Sequence, residues 1–373
     1  MPPLRVLVVD DAVVMRRLVS QVLEEEPDMV VSTAANGRIA LSKLSQVNPD
    51  AVVMDVEMPE LDGLGALKEL RKTHPDLPVI MFSTLTERGA SATLDAMALG
   101  ASDYVTKPAN VGSVNESLER VRTELVPKIK ALCGRRLGTA AAATPAVRPA
   151  PLPRPAPAVA AARSRCDLVA IGSSTGGPNA LHDLLSRLPG TLAAPVVITQ
   201  HMPPVFTRLL AERLDNVCQL TVREAHEGAV LKPGDVWIAP GDHHLVVRQA
   251  EGRVELALNQ DPPENSCRPA VDVMFRSVCA VYGRRAMAVV LTGMGYDGQR
   301  GCEHLREAGA TIVAQDEASS VVWGMPGAVA RAGLADEVLP LADVAAAIEA
   351  RVAMLRFTPR PSNPVPIRRL ELT

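Results

Sequence analysis

The stretch Asp167–Leu181, DLVAIGSSTGGPNAL, decides how the chain is read. Leu168–Ile171 is a short unbroken apolar run, the pattern of a strand buried on both faces. It runs into Gly172, Ser173, Ser174 and Thr175, then two glycines, then Pro178, which suits the first turn of a helix. Strand, Gly-rich turn and helix together are the repeating unit of an α/β fold. Residues 172–176 also fit G-x-S-x-G, where the serine stands exposed at a strand end before a helix N-terminus. The same turn suits an anion cradle, and five residues do not separate the two.

A serine nucleophile needs a base and a group to orient that base. Of seven histidines, His201 in VVITQHMPP directly follows a buried-type strand, as Ser174 does. The pair His243-His244 in APGDHHL is the alternative. On a strand, adjacent side chains point to opposite faces, so that pair makes a poor joint site. For the orienting carboxylate, Asp297 follows the apolar run of AVVLTGMGYDGQRG on a glycine-flanked loop. Asp242, Asp261 and Asp272 are rivals, and a lone Asp297 also reads as a helix cap. Ser174, His201 and Asp297 each follow a predicted strand, which strengthens the catalytic reading over the cradle.

Around these motifs the second half alternates strand and helix patterns. Strands are expected at 168–171, 196–199, 235–238, 245–248, 254–257, 288–291 and 311–314, and helices at 180–188, 205–214, 270–282, 299–307 and 341–355. The reading is a doubly wound α/β domain over 166–356, with an antiparallel hairpin region near 235–258. The first third alternates in the same way, with apolar runs at 4–10, 29–33, 51–55, 78–83 and 102–106 and a closing helix near 114–132. That predicts a (βα)5 unit with a parallel sheet over 1–125. Between the two, 126–165 reads as a Pro/Ala-rich linker. Its core, PAVRPAPLPRPAPAVAAARSR, cannot bury an apolar face. A tail, 357–373, is rich in Pro and Arg.

In the first unit Asp10, Asp11, Asp55, Ser83 and Lys107 all fall at predicted C-terminal strand ends, where open α/β sheets bind ligands. Two carboxylates about 4 Å apart repel by roughly 4 kcal/mol at an effective dielectric near 20. A hard divalent cation such as Mg2+ relieves this and also accepts phosphate oxygens. With Lys107 as a second positive charge and Ser83 as a donor, the pocket is equipped to receive a phosphoryl group on Asp55.

Composition narrows the function further. The 373 residues carry a formal net charge of −3 and only 2% aromatics, which argues against nucleic-acid binding. No run reaches membrane-span length, and the N-terminus lacks the order of a signal peptide. Six scattered cysteines read as reduced thiols. The expectation is a cytoplasmic protein with no direct membrane insertion.

The segments VLVVDD, VVMDVEMPELDG, VIMFSTLTE and DYVTKP, in that order, resemble response-regulator receiver domains. The resemblance implies phosphorylation at Asp55, Mg2+ at Asp10, Asp11 and Asp55, and switching through Ser83, Tyr104 and Lys107. It also implies a cis peptide before Pro108. AIGSSTGGP, ITQHMPP, APGDHHL, CRPAVDVMF, LTGMGYDG and VWGMPGAV resemble the catalytic domain of chemotaxis protein-glutamate methylesterases, the CheB family.

That second resemblance implies Ser174 as nucleophile, His201 as base, Asp297 as its orienting group, and the backbone N–H groups of Thr175 and Met294 as the oxyanion hole. No cofactor is implied in the esterase domain. The implied substrate is glutamate methyl esters on methyl-accepting chemoreceptors, with deamidation of glutamine at the same site. The phosphodonor is a chemotaxis-type histidine kinase. Ser173 and Tyr296 depart from the residues common in that family. A receiver tethered to an esterase suggests that the unphosphorylated receiver covers the cleft. The competing reading is a phosphorylation-gated binding module. A transcription-factor output lacks a basic recognition helix.

Overall fold

The computed structural model describes residues 2–108, 114–141 and 166–353. Most of the expected linker, and all of the expected tail, lie outside the described residues.

The first unit alternates β1(Leu4–Val9), α1(Val13–Glu24), β2(Met29–Ala34), α2(Gly37–Val47), β3(Ala51–Asp55), α3(Gly63–Thr73), β4(Val79–Ser83), α4(Glu87–Ala98), β5(Asp103–Thr106) and α5(Val114–Ala141). The strands form one parallel sheet in the order β2-β1-β3-β4-β5. Every residue of β3 and β4 is buried, as their unbroken apolar sequences require of inner strands covered on both faces. α5 places Val121, Leu125, Ile129 and Leu132 on one face, against Val6, Val8 and Ile80. That apolar stripe continues past residue 125, so the helix runs through the boundary expected there despite Pro127.

The second unit contains β6(Leu168–Ser173), α6(Gly177–Leu185), β7(Val196–Gln200), α7(Phe206–Val217), β8(Thr221–Glu224), β9(Asp235–Ile238), β10(His244–Ala250), β11(Arg253–Asn259), α8(Val271–Tyr282), β12(Ala286–Val290), α9(Gln299–Glu307), β13(Thr311–Gln315), α10(Met325–Arg331), β14(Glu337–Leu339) and α11(Leu341–Ala353). Its main sheet is seven-stranded and parallel, in the order β14-β13-β12-β6-β7-β9-β8. The antiparallel region is narrower than expected: β10 and β11 form a separate hairpin, while β9 joins the parallel sheet. β8, α10 and β14 were not expected. They are short, and β8 (TVRE) and β14 (EVL) are edge strands without a long apolar run.

From β6 the chain winds to one side through β7, β8 and β9. It then returns to wind the other way through β12, β13 and β14. The reversal falls between β6 and β12, the crevice where ligands bind in sheets of this kind.

The two units touch. Buried apolar residues of α4, including Leu94 and Met97, belong to the same cluster as Leu181 and Leu210 of the second unit. Tyr104 of β5 stacks on Phe206 of α7, with centroids 4.9 Å apart and planes at 9°. Arg213 donates to the Ser91 carbonyl at 2.7 Å and pairs with Asp95 at 2.8 Å; Arg208 pairs with Glu87 at 2.8 Å. Asn179 donates to the Met97 carbonyl at 3.0 Å.

Candidate active site

Ser174 directly follows β6, in a turn shaped by its glycines. Gly176 has φ +76, and a Cβ there would lie 2.6 Å from Val321. At Gly177 a Cβ would lie 1.9 Å from Gln200 Oε1, so any larger residue would displace the Gln200 amide. Gln200 ties the site together. It accepts from Ser173 Oγ at 2.7 Å and donates to the carbonyls of Ser174 at 3.0 Å and His201 at 3.2 Å. Ser173 is therefore a buried structural partner of Gln200. Gln200, within ITQHMPP, has no role assigned from the sequence, because a glutamine ending an apolar strand suggests no chemistry by itself.

His201 follows β7, and its backbone N–H bonds the Ser173 carbonyl at 3.1 Å. Its Nε2 meets Asp297 Oδ2 at 2.7 Å, and its Nδ1 lies 3.5 Å from Cys267 Sγ. The Ser174 hydroxyl makes no hydrogen bond with a described residue. The other histidines stand elsewhere. His244 is held between the Pro262 carbonyl and the Ala270 N–H, and His243 lies against the Gly241 carbonyl. Of the rival carboxylates, Asp242 pairs with Arg268 at 2.6 Å, and Asp272 accepts from the Gly301 N–H at 2.7 Å.

Asp297 is 3% exposed yet well supplied with donors. It accepts from the N–H groups of Val271 at 2.6 Å and Asp272 at 3.0 Å, the first residues of α8, and from Asn265 Nδ2 at 2.7 Å. Helix N-terminal N–H groups carry positive partial charge and favour an anion. Burial pushes the Asp297 carboxyl up, but His201 and these backbone donors win and lower it. For His201, burial alone favours the neutral ring. The ring's hydrogen bonds to Asp297 and Cys267 outweigh it and raise the imidazole to about 10.

One tight turn supplies both Asn265 and Cys267. The backbones of Glu264 and Cys267 exchange hydrogen bonds at 3.1 and 2.9 Å across Asn265 and Ser266, whose φ values are +52 and +62. Two successive left-handed residues make this a hairpin-type turn. The only cis peptide among the described residues, Arg268–Pro269, follows it. The bond expected to be cis before Pro108 is trans, the form that X–Pro bonds favour by about 0.5–1 kcal/mol.

The loop after β12 closes the site. Gly293 packs so tightly that a Cβ there would lie 2.4 Å from Met325 Sδ and 2.9 Å from Ser174 Cβ. Among the described residues, no hydrogen bond uses the backbone N–H of Thr175 or Met294. Both line, with Ser174 and His201, a cleft of about 630 Å3. The opposite wall of that cleft is the first unit: Tyr104, Thr106, Arg120, Glu124 and Lys128. Tyr296 is 56% exposed beside Asp297.

In the first unit the carboxylates of Asp10, Asp11 and Asp55 lie within 4.8 Å of one another. Lys107 Nζ is 2.8 Å from both Asp10 and Asp55. Burial pushes the Asp55 carboxyl up to about 6 against the pull of Lys107, with Asp10 adding to the rise. One lysine does not balance three acids, and an all-oxygen donor set of this size fits a hard divalent cation. Ser83 Oγ donates to the Gly89 carbonyl at 3.0 Å on the rim. Tyr104 is buried, and burial raises its hydroxyl well above the usual range.

The folds define the class: a response regulator whose receiver is joined to an α/β esterase-type domain. A response regulator receiver domain model matches residues 6–119, and a CheB methylesterase model matches residues 169–348. The protein-glutamate methylesterase/protein-glutamine glutaminase of Trichodesmium erythraeum is 50% identical over 354 residues, spanning 94% of this chain and 100% of that protein. The protein of the same name from a Nocardioides species is 54% identical over 357 residues, spanning 95% of this chain and 97% of that one. Among solved structures, the Thermotoga maritima CheB methylesterase catalytic domain is 43% identical with a TM-score of 0.49. It covers 50% of this chain and 99% of that one. The chain belongs to the CheB family of protein-glutamate methylesterases. No helix among its described residues is long and apolar enough to cross a membrane.

Proposed function

We propose that this protein is a cytoplasmic, phosphorylation-controlled esterase that hydrolyses glutamate methyl esters on methyl-accepting chemoreceptors and deamidates receptor glutamines. The observation that carries this reading is the 2.7 Å hydrogen bond between His201 and Asp297, beside a free Ser174 hydroxyl at the sheet's switch point.

In the proposed mechanism Ser174 Oγ attacks the ester carbonyl while neutral His201 takes its proton. Asp297 holds the ring in one orientation and stays ionised, because its other hydrogen bonds favour the anion. The developing oxyanion sits on the N–H groups of Thr175 and Met294. Losing one donor of that kind typically costs about 2.7–4 kcal/mol of barrier. His201 then protonates departing methanol, leaving an acyl-serine. Water, deprotonated by the same imidazole, attacks the acyl group, and glutamate is released as Ser174 regains its proton. With glutamine the leaving group is ammonia.

Control comes from the receiver, whose β5–α5 side walls the cleft. Asp55 accepts the phosphoryl group from a chemotaxis-type histidine kinase. Asp10, Asp11 and Asp55 would hold Mg2+, which when bound supplies positive charge against the phosphoryl oxygens. Ser83 and Lys107 line the same pocket as Asp55 and would turn toward the new anion, and Tyr104, on the strand that runs into Lys107, stacks on Phe206. Loss of their stack would loosen the receiver and admit the substrate helix.

The test is methanol release from methylated receptor. Ser174→Ala should abolish it while the protein stays folded by circular dichroism and denaturation midpoint. A folded variant with undiminished turnover would remove Ser174 from the mechanism.

A further inference from the structure

Asp297 takes one ring nitrogen of His201 and Cys267 takes the other. With Nε2 at 2.7 Å from Asp297, Nδ1 is the nitrogen left to serve Ser174, and the thiol at 3.5 Å occupies it. Ser174 has no hydrogen bond to the ring. The turn at 264–267 holds Cys267 there by its backbone, so replacing the side chain leaves the anchor intact.

We infer that Cys267 is a positioning residue that keeps His201 off Ser174: its sulfur accepts the Nδ1–H of the charged ring, and the base becomes available only when that contact is released. This rests on His201 being the base for Ser174. Burial would otherwise favour the neutral ring, so the two contacts, one on each nitrogen, hold the proton in place.

Other charges surround the ring and must be held constant. From its own domain Asp297 bonds the ring, Asp272 lies behind Asp297, and the Asp242–Arg268 pair lines the same cleft. From the receiver, Arg120, Glu124 and Lys128 of α5 line the opposite wall. None of them changes between the variants below.

The experiment compares full-length wild type with Cys267→Ala and Cys267→Ser, all with a small-molecule phosphodonor present. One readout is the nuclear magnetic resonance titration of the His201 ring, assigned by its loss in His201→Gln. The other is methanol release against pH. Cys267→Ala should lower the ring's midpoint by about one unit, a tenfold rise in the neutral fraction on the acidic limb, with a matching rise in rate. Cys267→Ser, whose hydroxyl also accepts Nδ1–H, should stay within about 0.3 units of wild type. An unchanged or raised midpoint in Cys267→Ala, or alanine and serine variants that behave alike, overturns the inference. If Cys267→Ala does not fold, Cys267→Val fills the thiol's volume and puts the same question. A Ser174→Ala protein that still releases methanol would instead sink the esterase mechanism itself, whatever Cys267 does.

Discussion

Arg213→Ala tests whether docking of the receiver restrains the esterase. Arg213 Nη2 reaches three atoms of the receiver helix α4: the Ser91 carbonyl at 2.7 Å, Ser91 Oγ at 3.2 Å and Asp95 Oδ1 at 2.8 Å. A hydrogen bond to a charged group contributes about 1.5–3 kcal/mol when well buried. The Arg213 and Asp95 side chains are 32% and 51% exposed, so solvent screens the ion pair to below about 1 kcal/mol. Together the three contacts amount to about 1–2 kcal/mol of docking energy. If the docked form dominates, losing that much raises the undocked population about 5–30-fold. The assay is initial-rate methanol release by the full-length, unphosphorylated protein, which should rise by a factor in that range. Arg208→Ala, whose partner Glu87 is 70% exposed, should give a smaller rise, under about fivefold. A rate within about twofold of wild type for Arg213→Ala, while a phosphodonor still stimulates wild type strongly, would refute the reasoning.

Asp297→Asn keeps the size of the side chain but loses the charge that holds the imidazole, and methanol release should fall by about 10^4, with substrate affinity little changed. Gly177→Ala should push its Cβ into Gln200, releasing the carbonyls of Ser174 and His201. The expected cost is about 1–3 kcal/mol in denaturation midpoint together with a lower kcat. The His201–Asp297 pair also sets a pH dependence of stability. His201 is raised to about 10 in the folded protein, against an ordinary value near 6.5, so its contribution is complete below about pH 6.5 and fades as pH rises toward 10. The gap in urea midpoint between wild type and His201→Gln should therefore narrow across that range. A constant gap would mean that the ring is not held as a cation.

Much of this molecule is legible in the chain itself. Unbroken, β-branched apolar runs such as Ala51–Met54 and Val196–Ile198, too short for buried helices, read as strands covered on both faces, and their alternation with helical stretches makes two parallel α/β units. The glycines around Ser174 and the loop after β12 are visible too, because turns that tight exclude a Cβ. What lacks a local signal is harder to read. β8 and β14 lie at sheet edges, where no apolar run is required, whereas the apolar stripe of α5 packs on the sheet through Leu132, as far as the helix expected there.

Residue order alone left His201 and Asp297 as candidates among rivals, since they stand 96 positions apart. The reversal of winding between β6 and β12 brings the turns after β6, β7 and β12 to one crevice. There hydrogen bonds sort the rivals: Asp297 takes the imidazole, while Asp242 takes Arg268 and His244 takes a backbone carbonyl. Gln200, Asn265 and Cys267 gain their places only through that packing. Each is a polar side chain whose partner lies on another element, and no pattern along a chain encodes a contact across a fold.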